Sequence, residues 1–225
     1  MAVAREKSIG SLILGCPGSE LSMERSTDYF PKFLFGAYLA LFIVLAISPY
    51  DRSVWFAENL PIFGIALLQA LGYMRGVRFS NLAYVLMSVL LFMHTIGGHY
   101  TFERVPFDWF NNFFGFERNM YDRVAHFSVG FYAFALAEWL DRIQASGRRF
   151  VVYLFPLFAI AFIAMGYEIV EWWFAISSDP SAGGAFLGSQ GDIWDAQKDM
   201  LADTLGAVAA LMLYALKRER KSHLV

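Results

Sequence analysis

Long apolar runs separated by short polar connections recur along this chain, at residues 30–48, 55–73, 79–96, 124–140, 150–174 and 201–216. A bilayer needs about 17–25 predominantly apolar residues per helical crossing, and six such windows can be placed. The first is opened by Ser26, Thr27 and Asp28 as cap candidates, with Pro31 in its first turn, and is closed by Pro49. The second is the weakest, because it contains Glu58, Pro61 and Gln69. The fifth is long enough to tilt. The pattern predicts an all-α fold, a polytopic membrane bundle of six transmembrane helices. Its parts are a flexible N-terminal segment (1–28), a six-helix membrane domain (29–217) and a basic tail (218–225).

Composition agrees with that class. The chain is 57% hydrophobic and 17% charged, with a mean hydropathy of +0.45, too apolar for an ordinary soluble domain of 225 residues. A single cysteine, Cys16, excludes an internal disulfide framework and a multi-cysteine zinc site. The run Ser11 to Cys16 loosely resembles a lipoprotein cleavage site, but its apolar part is too short for a signal peptide. The plainer expectation is that Met23 is the natural start and residues 1–22 are an upstream extension. There is no phosphate-binding glycine loop, no nucleophile elbow and no basic patch for nucleic acid.

Charge sets the direction. Thirteen of the 18 basic residues fall on one side: Arg5, Lys7, Arg25, Lys32, Arg75, Arg78, Arg142, Arg148, Arg149, Lys217, Arg218, Arg220 and Lys221. Only Arg52, Arg104, Arg118, Arg123 and Lys198 fall on the other. By the positive-inside rule both termini are cytoplasmic. Thirteen of the 20 acidic residues divide the opposite way, giving the outer face a field that collects cations.

The acids are not scattered. Asp192, Asp195, Asp199 and Asp203 are spaced three, four and four apart, which confines them to roughly an 80° arc of a helix entering the sixth span. Glu168 and Glu171 share a face at the outer end of the fifth span. Asp122 and His126, four apart, share one at the outer end of the fourth, and His94 and His99 close the third. Gly130, Gly206, Ala161, Ala164 and Ala210 are small residues that allow these helices to pack closely. A carboxylate at bilayer depth costs about 2.5–3.5 kcal/mol on insertion scales, so such groups face a bundle interior or a wet cavity and find partners.

Three readings stay open. His94, His99, His126, Glu168, Glu171, Asp195, Asp199 and Asp203 are a ligand pool suited to a divalent metal such as Zn, Mn or Fe, although no named metal motif is present. A metal-free acid–base site or proton relay would use His126 oriented by Asp122. The third reading is a polar network that only holds helix ends together. Catalytic work in either chemical reading falls to His126, Asp122 and Asp199. The aromatic run at 107–116 reads as an interfacial anchor, with a lid as the alternative, and the glycines between 183 and 191 read as a flexible connection.

On these same residues the sequence resembles the YjdF-like family of bacterial inner-membrane proteins. The matching phrases are His94 to Thr101, Tyr121 to Phe127, Tyr167-Glu168 with Glu171-Trp172, and Phe186 to Gln197 with its Gly191-Asp192-Ile193-Trp194-Asp195 centre. A looser likeness is to VanZ-like membrane proteins. Asp122 to Phe127, Glu168 and Asp199 to Gly206 fit their pattern, with Asp203 where an asparagine is usual. These resemblances imply a role at the cell envelope, embedded in the lipid bilayer, without naming a reaction. The expectation is an outward-facing acidic and histidine site that binds a divalent metal and acts on an envelope lipid or lipid-linked small molecule. The alternatives are a proton or divalent-cation transporter and a structural or partner-binding membrane protein.

Overall fold

The structure, a computed structural model, describes residues 29–144, 148–178 and 180–222. The N-terminal segment 1–28, with Cys16, Met23 and the cap candidates Ser26 to Asp28, lies outside the described residues, as do Asp179 and the last three residues of the tail. All regular structure among the described residues is helical: α1 (Tyr29–Leu45), α2 (Arg52–Met74), α3 (Asn81–Tyr100), α4 (Asp108–Phe114), α5 (Tyr121–Val129), α6 (Tyr132–Arg142), α7 (Arg149–Ser177), α8 (Pro180–Leu187) and α9 (Asp195–Ser222).

Four helices, α2, α3, α7 and α9, are long and apolar enough to cross a membrane. The first expected span is the apolar α1, which is 17 residues long. The fourth runs as α5 and α6, joined at Gly130-Phe131 by a tighter, still right-handed turn with i→i+3 hydrogen bonds, and α9 meets it there without side chains in between. A Cβ on Gly130 would overlap the backbone of Asp203, Gly206 and Ala207, and one on Gly206 would overlap the Phe127 carbonyl.

Local chemistry explains the other ends. Asp51 caps α2, its Oδ1 accepting from the backbone N–H groups of Ser53 (2.8 Å) and Val54 (3.0 Å). Ser80 caps α3 by accepting from Ala83 N–H, and is itself held by the buried Glu138 of α6. The Ser80 amide and hydroxyl donate to that carboxylate at 2.7 and 2.6 Å. Glu138 is therefore an internal tie between α3 and α6. Beyond α3 the chain turns through left-handed conformations at Thr101 and Phe102. This folds the Phe102 ring back over Gly97, where a Cβ would strike it.

The connection expected to be flexible contains α8, which packs on the end of α7 with Gly183 against the Ala175 carbonyl. The aromatic run forms the short α4. Trp109, Phe113 and Phe114 are exposed on it, while the buried Asn111 accepts a hydrogen bond from the Met120 N–H (3.0 Å).

The main core lies in the half of the bundle away from the polar helix ends. It packs Phe134, Ile160, Met87 and Tyr214 around Ala83, Ala133, Ala137, Ala207 and Ala210. Alanines at these positions let α3, α6, α7 and α9 approach closely, as membrane helices do through small residues. A second cluster of Tyr38, Ile62, Leu90 and Leu91 fastens α1 and α2 onto α3.

Candidate functional site

The close approach of α5 and α9 decides what the acidic stripe meets. With the two backbones touching at Gly130 and Gly206, the turns on the site side of that contact place Asp122 and His126 opposite Asp195, Asp199 and Asp203. All five are buried, Asp199 and Asp203 to 2% exposure.

His126 is held from behind. Its Nδ1 lies 3.3 and 3.4 Å from the two carboxylate oxygens of Asp203. In the neutral tautomer with Nδ1–H directed at that carboxylate, Nε2 has the free lone pair. Nε2 points between Asp122 Oδ1 (3.7 Å) and Asp199 Oδ1 (3.8 Å), a separation too long for a hydrogen bond to either. Asp122, Asp199 and His126 each bring one donor atom within 4.8 Å of the others. Ligands about 2.0–2.2 Å from one four-coordinate zinc stand roughly 3.3–3.6 Å apart, so a small inward movement of three side chains would close the set. The carboxylate behind His126 is the outer-shell partner that metal-bound histidines usually have. Asp203 thus stands behind the imidazole, in the orienting place that the sequence suggested for Asp122.

Two arginines fix the outer part of the stripe. Arg123 donates to Asp195 Oδ1 (2.6 Å) and its carbonyl oxygen (2.9 Å) and is ion-paired with Asp199 Oδ1. Arg118 donates to the same Asp195 oxygen at 2.7 Å. Asp195 is therefore committed to two guanidinium groups, whereas Asp199 stands between Arg123 and His126. Asp192, at the rim, pairs with Lys198 Nζ at 2.6 Å. That hydrogen bond, with one from the Trp194 N–H, holds its carboxyl below the usual aspartate range.

Facing this group across a cavity of about 280 Å³ is a second polar set. Tyr167 of α7 donates to Glu58 Oε2 of α2 at 3.2 Å, and its hydroxyl lies 3.4 Å from His94 Nε2 of α3. His94 Nε2 is 3.7 Å from the same Glu58 oxygen. The Tyr167 ring is edge-on to both imidazoles, 6.1 Å from His94 and 6.3 Å from His126, so it bridges the two sets. Phe102 shapes the wall beside His94, with ring centroids 5.0 Å apart.

Of the residues singled out from sequence, Asp122, His126, Asp199 and Asp203 form one centre, and His94 and Glu171 line the same cavity. Glu168 is buried nearby, with Oε1 accepting no hydrogen bond. His99 is elsewhere: its Nδ1 meets the Leu45 carbonyl at 2.8 Å and its own carbonyl accepts from Tyr50 N–H, pinning the α1–α2 connection. In the sequence Glu58 only weakens the second apolar window, and Tyr167 has no patterned partner to single it out. A carboxylate inside an apolar window is itself a signal that a partner exists.

Counted together, seven buried carboxylates (Glu58, Asp122, Glu168, Glu171, Asp195, Asp199 and Asp203) face two arginines and two histidines. Buried charge without compensation is strongly destabilising, so all seven carboxylates cannot stay ionised on these four partners alone.

A bundle of apolar helices around a buried polar centre is a polytopic helical membrane protein. The chain belongs to the family described as "Predicted membrane protein (DUF2238)", which it matches over residues 30–220. It is similar to Inner membrane protein YjdF of Escherichia coli (strain K12), 34% identical over 191 residues that cover 82% of this chain and 90% of that protein. No solved structure matches it.

Proposed function

We propose that this is an inner-membrane protein of six crossings with both termini cytoplasmic. The α1 helix and the α5–α6 pair complete the set of crossings, and the acidic end faces outward. There it holds a divalent cation and acts on an envelope lipid or lipid-linked substrate. The observation that carries this reading is the aim of His126, whose Nε2 is directed by Asp203 between two carboxylates at the polar end of a cavity with an apolar wall. The donors fit a divalent cation, since imidazole suits Zn and Fe and carboxylates suit Mn and also ligate Zn. Bound there, the ion would supply Lewis acidity and an acidified water.

The chain's own groups do the rest. Asp203 fixes the imidazole, Arg123 balances Asp199, and Tyr167 offers a hydroxyl to a headgroup from the opposite wall. Cation or proton transport is less well supported. Ile62 and Leu90 of the cavity wall pack with Leu91 and Tyr38 into a cluster that contains no carboxylate, imidazole or amine.

Metal analysis of purified protein tests the centre. Wild type is expected to carry about one equivalent of Zn, Mn or Fe, and His126→Ala with Asp199→Ala close to none, as ligand loss requires. Equal, negligible content in both sinks the metal reading. Lipid extracts test the activity: a deletion strain and an Asp199→Asn strain should change alike, and an unchanged envelope in both counts against an enzyme.

A further inference from the structure

The cavity joins two unlike surfaces. Its polar end presents four carboxylates, Glu58, Asp122, Glu171 and Asp203, and two imidazoles, His94 and His126. Among the described lining residues there is no lysine or arginine, because Arg118 and Arg123 turn away to Asp192, Asp195 and Asp199. One lining residue, His94, 9% exposed, has a buried ring nitrogen, Nδ1, without a hydrogen-bond partner. The remaining wall is hydrocarbon: Pro61, Ile62 and Ile65 of α2, Leu90, Val129, and Ile163 of α7.

That apolar wall is open to the side. Helix α2 packs on α3 and α8, and α7 packs on α6, α8 and α9, so α2 and α7 flank the cavity without packing extensively on each other. Ile163 lines the cavity and is still 55% exposed, on the surface where hydrocarbon chains would lie. The Tyr167–Glu58 hydrogen bond spans the gap at its polar end.

We propose that this cavity takes an amphiphile with an amine or ammonium head, which enters sideways between α2 and α7. The tail lies along Ile163, Ile65 and Pro61, and the head sits among Glu58, Glu171 and Tyr167, apart from the donors of the metal centre. Like-charge juxtaposition disfavours an anionic head: a phosphate would meet four carboxylates and no guanidinium. An ammonium meets hydrogen-bond acceptors and an aromatic face that attracts cations. This inference rests on the lipid half of the function proposed above and is independent of the metal half.

The test uses full-length protein in a neutral bilayer disc, stripped of metal with EDTA. An equimolar mixture of hexadecylamine, hexadecanol and hexadecyl phosphate is added, and retained ligands are counted by native mass spectrometry. The amine is expected to exceed the phosphate by about tenfold or more, roughly 1.4 kcal/mol. Ile163→Trp, which fills the apolar wall, should abolish specific retention. Ile176→Trp, on an exposed part of the same helix, should leave it intact. Glu171→Gln and Glu58→Gln should each narrow the amine-to-phosphate ratio.

Equal retention of the three heads, preference for the phosphate, or a preference that survives Ile163→Trp overturns the proposal. Metal content measured on the untreated protein separates the two ideas. Protein with no metal but a strong amine preference removes only the metal centre, and metal-loaded protein without the preference removes only this inference.

Discussion

Gly130 and Gly206 bring two helix backbones into direct contact: a Cβ built on Gly206 would stand 3.3 Å from Gly130 Cα and inside the Phe127 carbonyl. Everything chemical about the site depends on that contact, since it sets the level at which His126 meets Asp199 and Asp203.

Replacing either glycine by alanine should therefore separate α5 from α9. Overpacking of this kind costs about 1–3 kcal/mol. Thermal unfolding in detergent is the measurement, with Gly36→Ala, where nothing lies within 4 Å of the added methyl, as the control. Gly206→Ala melting with the wild type would show that the helices do not meet there.

The Asp203–His126 pair makes a separable claim. Asp203→Ala keeps the three donor atoms but loses the group that orients one of them, so metal affinity should fall about 10–100-fold without being abolished. Complete loss would make Asp203 a direct ligand, and no change would leave it without a part in the centre.

Tyr167→Phe removes the donor to Glu58 while keeping the ring. A buried acceptor left without its partner costs about 1–3 kcal/mol, and Glu58→Gln in the same background should recover part of it. A thermal-melt cycle over the two single variants and the double variant reads the coupling. Additive losses would mean that the hydroxyl and carboxylate do not interact.

Asp192 carries a pH signature at the rim. Its carboxyl is held below the ordinary range by Lys198, so the pair's contribution is present above the unfolded value of about 4 and is lost as pH falls through the lower folded value. Lys198→Ala should move Asp192 back up toward that ordinary value in a carboxyl NMR titration. Because the group is solvent-screened, stability at pH 7 should hardly change. An Asp192 titration that ignores Lys198 would dismiss the pair.

Orientation has a chemical test. In a Cys16→Ser background, Ile193→Cys places a thiol on a residue that is 84% exposed. It should react with a membrane-impermeant maleimide in intact spheroplasts. Protection until the membrane is permeabilised would reverse the proposed topology.

Much of this arrangement could be read from residue spacing, for identifiable reasons. Asp195, Asp199 and Asp203 at intervals of four, and Asp122 with His126, share faces because an α-helix repeats every 3.6 residues. Which face met which was not legible. His94 and His99 sit on one helix end five residues apart, and only the fold sends one into the cavity and the other to the Leu45 carbonyl. The tighter turn joining α5 to α6 was hidden as well, because Gly130 inside an apolar run reads only as a packing residue. Glu58 and Tyr167, 109 positions apart, had no local pattern to connect them.

The ties between α5 and α9 also bear on how the protein is made. Asp122, Arg123 and His126 emerge from the ribosome early, yet Asp195, which Arg123 bonds, follows 72 residues later. Until α9 is synthesised, Arg123 lacks Asp195 and Asp199, and His126 lacks Asp203. A chain truncated before α9 would leave Arg123 and His126 without these partners, so the order of synthesis makes the last helix the one that completes the polar centre.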